Sequence, residues 1–311
     1  MKILYITDTH VSSRKPICRT DNYLEISLDK LRYIAKTARD NPDIKFVIHG
    51  GDLFETPDVS NKIAGDVVEI FQSIGKPVVF NIGSHDTYSY NPDSYMYGKL
   101  NLFSKHDWFY ILENKEFNYK YHDCDINVFG ISHGLENETA MFNDKLKLRL
   151  PEHDRKKVIN IVTIHGMLFN DNVNMKGKLF LKAIHELDFK NVDVVLSSHY
   201  HPGYPVYKKH DCWYANPGGM MRNTINDVDR TPQYCIINTK KGVIQCRYYP
   251  IPYEKKVFVD RFVGTILPED LDGDIVLPSI DVGKLDVLIK KIGQKKKFHS
   301  RSIDICLQKV N

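Results

Sequence analysis

Residues 76–88 read KPVVFNIGSHDTY. The β-branched apolar run closed by Gly83 reads as a short buried strand. It delivers three polar residues, Ser84, His85 and Asp86, to a turn. The pattern recurs along the chain. KILYIT ends at Asp8, IKFVIHG at Gly51 and Asp52, DINVFGIS at His133, VINIVTI at His165, and VDVVLSS at His199. Between the first two runs, Leu24, Leu28, Leu31, Ile34, Ala35 and Ala38 fall at helical spacing. Between the second and third, Ile63, Val67, Ile70, Phe71 and Ile74 share a face, with Gly75 and Pro77 as a stop. GKLFLKAIHELDF is a third, shorter helix candidate. Alternating strand and helix predicts an α/β sheet with helices on its faces, and ligands gather beyond the carboxyl ends of such strands.

From Asp211 the texture changes. DCWYANPGG and QYCIINTKKGVIQCRYYP are strand-rich, the second a hairpin turning near Lys240–Gly242. A mixed or two-sheet core is therefore expected rather than a pure doubly wound fold. After PIPYEKK the chain starts again with the strand KKVFVDRF, a helix carrying Leu285, Leu288, Ile289 and Ile292, and an alternating strand with Ile303, Ile305 and Leu307. The expected organisation is a domain over 1–254 and a small α/β appendage over 255–311.

The 311 residues, 42% apolar, are enough for a sizeable core, which argues against global disorder. A formal charge of +4 neither demands nor excludes nucleic acid. Six scattered cysteines, none in a CxxC pair, read as reduced structural thiols. MKILYIT opens a strand and not a signal peptide, and no run approaches a membrane span, so a soluble, cytoplasmic protein is expected.

The strand ends carry Asp8 and His10, Asp52, His85 and Asp86, His165, and His199 with His201. Imidazole and carboxylate together suit Mn, Fe or Zn. In an Asp-x-His pair leaving a strand, positions i and i+2 share a face. Asp8, His10, Asp52, His165, His199 and His201 are more ligands than one metal needs, and two cations about 3.5–4 Å apart with Asp52 as a bridge use them all. Each histidine alone reads more readily as a hydrogen-bonded structural residue than as a ligand. The joint pattern does not, because unneutralised buried carboxylates at Asp8 and Asp52 would repel one another.

The ordered set DTH…GGDLFE…GSHD…IHG…SHYH resembles the calcineurin-like metallophosphoesterases, whose pattern is D-x-H, G-D, G-N-H-D/E, H and G-H-x-H. The resemblance covers about residues 1–220. Within that superfamily, GGDLFETPDVS and YANPGGMMRN resemble the nuclease subunit of the SbcCD double-strand-break repair complex and its phage recombination relatives. The resemblance implies a two-sheet sandwich flanked by helices, with 255–311 as a capping domain. It implies that Asp8, His10, Asp52 and His201 hold one metal, and that Asp52, His165 and His199 hold a second, with position 84 as a further ligand. His85 would protonate the leaving oxygen and Asp86 would orient that imidazole. It further implies Mn, a homodimer and an ATPase partner with long coiled coils. The family has Asn where this chain has Ser84, which leaves three readings: a weakened second site, a one-metal site, or a disabled one. Ser198 replaces a family Gly, with little consequence expected.

Other residues carry two readings each. Arg14, Lys15 and Arg19 in SSRKPICR, Arg222 after NPGGMM, and Lys295, Lys296 and Lys297 in KKIGQKKKFHSR are candidates for a nucleic-acid backbone or for solvated charge. Tyr88, Tyr90, Tyr95 and Tyr97 are candidates for base stacking or for packing a surface loop. His49 reads as structural, and His133 as structural or substrate-facing. The expected function is a two-metal DNA nuclease, against a phosphoesterase for small esters or a DNA-binding scaffold with a degenerate site.

Overall fold

The computed structural model describes residues 1–113, 115–122, 124–133, 150–169, 182–183, 189–240 and 242–259. The chain runs β1 (Lys2–Ile6), α1 (Tyr23–Asp40), β2 (Ile44–His49), α2 (Asn61–Gln72), β3 (Val78–Phe80), β4 (Phe109–Ile111), β5 (Glu116–Tyr121) and β6 (Cys124–Ile131). It continues with β7 (Val158–His165), β8 (Leu168–Phe169), β9 (Lys182–Ala183), β10 (Val194–Ser198), β11 (Tyr204–Lys209), β12 (Cys212–Asn216), β13 (Gln233–Lys240) and β14 (Val243–Pro250).

Two six-stranded sheets result, in the orders β14-β13-β1-β2-β3-β4 and β11-β12-β10-β7-β6-β5. In the first, β1 to β4 are parallel and β13 joins β1 antiparallel. In the second, β6, β7, β10 and β12 are parallel, with antiparallel strands at both edges. Most of the parallel strands lie in mid-sheet with buried faces, which is why they read as apolar runs; β4 is the exception, at the edge of the first sheet. Ile3, Tyr5, Phe46 and Ile48 of one sheet pack with Ile126, Val128, Ile161 and Val194 of the other. The Tyr5 hydroxyl crosses between the sheets to donate to the Ser197 carbonyl (2.8 Å). The outer face of the first sheet takes the apolar stripes of α1 and α2, including Leu31, Ile34, Val67 and Phe71. Ser60 caps α2 by accepting the Ile63 N–H (3.3 Å). The architecture is the expected α/β two-sheet sandwich with helices on its face.

One expectation changes. Of the helix read over residues 177–189, Lys182–Ala183 form a two-residue strand beside β8. Strand pairing overrides local helical spacing there, and most of the remaining stretch lies outside the described residues. The chain divides into compact units Met1–Val263 and Gly264–Asn311. Residues 260–311, and with them most of the expected capping domain and Lys295, Lys296 and Lys297, lie outside the described residues. Val257 and Phe258, from the start of that segment, pack on Cys18. Among the described residues, no helix is long and apolar enough to cross a membrane.

Candidate metal centre

The parallel strands of both sheets end at one place. Asp8 and His10 follow β1, Asp52 follows β2, Ser84 to Asp86 follow β3, His165 ends β7, and His199 and His201 follow β10. The backbone there is unusual. Asp8 (φ 49°), His10 (φ 45°), Asp52 (φ 54°) and His199 (φ 71°) all adopt the left-handed region, uncommon for residues with a Cβ. Strain of this kind gathers where side chains must be aimed.

Asp8, His10, Asp52 and His201 bring one ligand atom each within 4.8 Å of one another, and Asp52, His165 and His199 form a second such group. Asp52 belongs to both. Its Oδ2 lies 3.5 Å from His10 Nε2 and 3.2 Å from His165 Nε2. Its Oδ1 accepts the His85 backbone N–H (2.7 Å). Imidazole nitrogens face each other in both clusters, His10 Nε2 and His201 Nε2 at 3.0 Å, His165 Nε2 and His199 Nδ1 at 3.2 Å. Two nitrogens bound at about 2.1 Å and at right angles around one cation lie about 3.0 Å apart. The carboxylate and imidazole donors fit a pair of borderline divalent cations bridged by Asp52.

The electrostatics agree. Burial opposes ionisation of Asp8 and Asp52, yet the neighbouring imidazoles hold both carboxyls below their ordinary range. Burial would lower His165, but the Asp52 carboxylate lifts it to about 9. Burial, followed by charge on His165, pushes His199 down to about 4. His49 is buried and pushed to about 3. It accepts the Gly51 N–H (3.2 Å) and meets Thr9 Oγ1 (3.1 Å), which is its structural role.

The GSHD turn is anchored from beneath, and here one expected role changes. Asp86 does not orient the His85 ring. Its carboxylate accepts the N–H groups of Asp52 (2.8 Å), Gly83 (2.9 Å) and Leu53 (3.0 Å). It is therefore spent on fixing two strand ends against each other. The His85 ring is held by Glu55, whose backbone carbonyl lies 2.7 Å from Nδ1. The Glu55 carboxylate lies 2.9 Å from His10 Nδ1 and 4.0 Å from His85 Nδ1. Glu55 stands in the GGDLFE motif, where residue type alone gave it no role; its place three residues after Asp52 was the available signal. Ser84 Oγ reaches Asp52 Oδ1 and Oδ2 only at 3.4 and 3.3 Å. Gly83 is required: an added Cβ would stand 2.2 Å from the Asp52 nitrogen and 2.8 Å from the His165 ring.

Two expected nucleic-acid contacts are corrected. Arg19 and Arg222 are 4% and 1% exposed. Arg19 pairs with Asp21 and donates to the Arg222 carbonyl, while Arg222 donates to the carbonyls of Val228 and Glu254. Both hold backbone and cannot meet a phosphate chain in this conformation. With Lys30 on the Met220 carbonyl (2.9 Å) and Arg230 on the Gly219 carbonyl (2.6 Å), they clamp the NPGGMM segment. That segment's amides in turn hold the Asp8 and His201 carbonyls (3.1 and 3.0 Å). The sequence offered no sign that these cations face inward. Arg14 and Lys15 are exposed.

Comparison with known proteins bears on the same residues. The family described as Calcineurin-like phosphoesterase matches residues 1–203. No curated protein matches the chain. Among solved structures, TT1561 of Thermus thermophilus is similar at 13% identity and TM-score 0.50, over 81% of this chain and 99% of that one. The 5'-nucleotidase precursor of the same organism gives 10% and 0.46, over 81% and 54%. The purple acid phosphatase PPD1 of yellow lupin gives 14% and 0.44, over 80% and 51%. The chain spans about half of these last two, and likeness at such identities concerns the fold alone. The matched residues contain every candidate ligand from Asp8 to His201, set at the ends of the strands just described, and the chain belongs to the calcineurin-like phosphoesterase family.

Proposed function

We propose that this metallophosphoesterase is a DNA nuclease, cleaving phosphodiesters as the nuclease subunit of a recombination or repair complex. The observation that carries the reading is the open proton donor. His85 is 40% exposed in its side chain and packs edge-on against His10 at 4.8 Å, at the rim of the first cluster. A site closed over a small ester would bury it. GGDLFETPDVS and YANPGGMMRN support the same reading.

Asp8, His10, Asp52 and His201 would hold one cation, and Asp52, His165 and His199 the other, with Ser84 beside Asp52. Bound divalent cations supply an activated water and neutralise phosphoryl charge. The chain does the rest. With Nδ1–H given to the Glu55 carbonyl, His85 in its imidazolium form keeps Nε2–H for the leaving oxygen, to which it passes that proton, returning to neutral imidazole. The Glu55 carboxylate, 2.9 Å from His10 Nδ1, favours the ring proton on that nitrogen, so that His10 Nε2 presents its lone pair to the cluster. Asp86 keeps the Asp52 and Gly83 backbones in register.

A second reading, hydrolysis of small phosphate esters or nucleotides, is favoured by the inward turn of Arg19 and Arg222, which leaves fewer cations for a long polyanion. Metal analysis and a cleavage assay across Mn, Mg and Zn decide between them. Linear duplex and single-stranded DNA are compared with a chromogenic diester and a mononucleotide. Mn-dependent cutting of DNA is expected; turnover of the small esters alone would sink the nuclease reading. DNA binding without cleavage by any metal, unchanged in Ser84→Asn, would mean a scaffold. The nuclease reading also carries a homodimer and a coiled-coil ATPase partner, to be checked by light scattering and co-purification.

A further inference from the structure

His133 stands two residues past the end of β6, its backbone N–H on the Ile82 carbonyl (3.2 Å). Its side chain is 3% exposed, and neither ring nitrogen has a hydrogen-bond partner among the described residues. The ring lies over His199 at 5.0 Å and 29°, and meets His165 edge-on at 5.9 Å. It stands beside the second cluster without belonging to its ligand group. An imidazole carries at least one N–H to give. Folded chains rarely leave such a group unpaired, and a partner the described residues withhold is one a ligand can supply.

Outside His133 sits Tyr90. Its ring meets the imidazole edge-on at 5.7 Å and is half exposed, at 50%. It lies at the tip of a tight turn. Tyr88 and Asn91 are bridged antiparallel, and between them Ser89 (φ 51°) and Tyr90 (φ 57°) are both left-handed. Turns of that shape favour Asn and Gly, and a bulky ring at positive φ is unusual. The chain accepts the strain and thereby holds an aromatic face in solvent directly above an unpaired imidazole.

We propose that Tyr90 and His133 form a nucleoside subsite on the second-cluster side of the centre, the base stacking on Tyr90 and a sugar–phosphate oxygen accepting the His133 N–H. This deepens the nuclease reading and rests on it for the substrate class. His85 packs on His10 of the first cluster, whereas His133 packs on His199 of the second. The nucleoside held here is thus the one that keeps the phosphate, and the leaving group departs on the other side. Stacking tolerates any base, so thymidine and deoxyadenosine esters should differ by no more than about threefold.

The test compares two p-nitrophenyl phosphodiesters, thymidine 5'- and methyl, with the full chain loaded with Mn. The leaving group is identical, so the ratio of kcat/KM reports the nucleoside. The wild type should favour the thymidine ester by about 30-fold or more. Tyr90→Ala and His133→Ala should each shrink that ratio roughly five- to tenfold, chiefly through KM, while Tyr90→Phe keeps it within about twofold. Both Mn sites, read by electron paramagnetic resonance, should persist in the two alanine variants. Equilibrium binding of thymidine 5'-monophosphate, which needs no turnover, should follow the same order. A wild-type ratio near one, an unchanged ratio in Tyr90→Ala, or loss of the second Mn in His133→Ala would each overturn the subsite. DNA cleavage with a ratio of one removes the subsite and leaves the nuclease reading intact. A high ratio without cleavage of any DNA does the reverse.

Discussion

Replacing Glu55 with glutamine keeps the side chain's shape and removes its charge. The carboxylate lies 2.9 Å from Nδ1 of the buried His10, and the Glu55 side chain is 38% exposed. A hydrogen bond to a charged partner contributes about 1.5–3 kcal/mol. Water reaching Glu55 screens part of this, which leaves about 1–2 kcal/mol. The amide oxygen still accepts from Nδ1, so the ring should stay in place but become a poorer donor to the cation. The expected result is a loss of about 5- to 30-fold in Mn affinity at the first cluster. The second cluster, Asp52, His165 and His199, does not touch Glu55 and should change by less than about threefold. Calorimetric titration of Mn into metal-free protein reads both steps, with His201→Ala and His199→Ala assigning them. Equal losses in both steps, or none in either, would refute the reasoning that Glu55 acts through His10.

Gly83→Ala should destabilise the protein by about 3 kcal/mol or more in a urea melt and remove metal-dependent activity, because backbone of Asp52 stands where the methyl must go; a change below about 0.5 kcal/mol would contradict that packing. Ser84→Asn should bring an amide oxygen to the second cluster and tighten its Mn binding about tenfold in the same titration, and no change would mean that Ser84 already serves. Lys30 is pushed from 10.5 to about 7, first by burial and then by Arg19, Arg230 and Arg222. Its folded value lies below its unfolded one, so the unfolded chain binds more protons between about pH 7 and 10, and stability rises with pH across that window. Lys30→Met should flatten the rise, worth about 3 kcal/mol across melts taken from pH 6.5 to 9.5; parallel curves for both proteins would count against it.

The ligand set was legible because parallel strands buried on both faces announce themselves as apolar runs, and the residues just past each run are those the fold presents at one edge. Asp8, His10, Asp52, His165, His199 and His201 could be listed from that alone. Their partners could not. Asp86 spends its carboxylate on three amides, a fact that depends on how the turn after β3 meets the turn after β2 and leaves no trace in residue type. Glu55 is found only once His10 and His85 are seen on either side of it. Arg19 and Arg222 read as solvent charge because nothing local says that backbone carbonyls will surround them. The place of β13 beside β1 is likewise a choice between distant segments.

That last pairing and the spread of the ligands set a schedule for synthesis. The first cluster joins Asp8 to His201, and β1 finds its antiparallel neighbour only among residues 233–240. At about 5–20 residues per second, a ribosome that has made Asp8 needs roughly 10–40 seconds to make His201. Until then the emerging chain carries histidines and carboxylates without a complete first cluster. Hydrolytic competence arrives abruptly and late, when nearly the whole catalytic domain has left the tunnel.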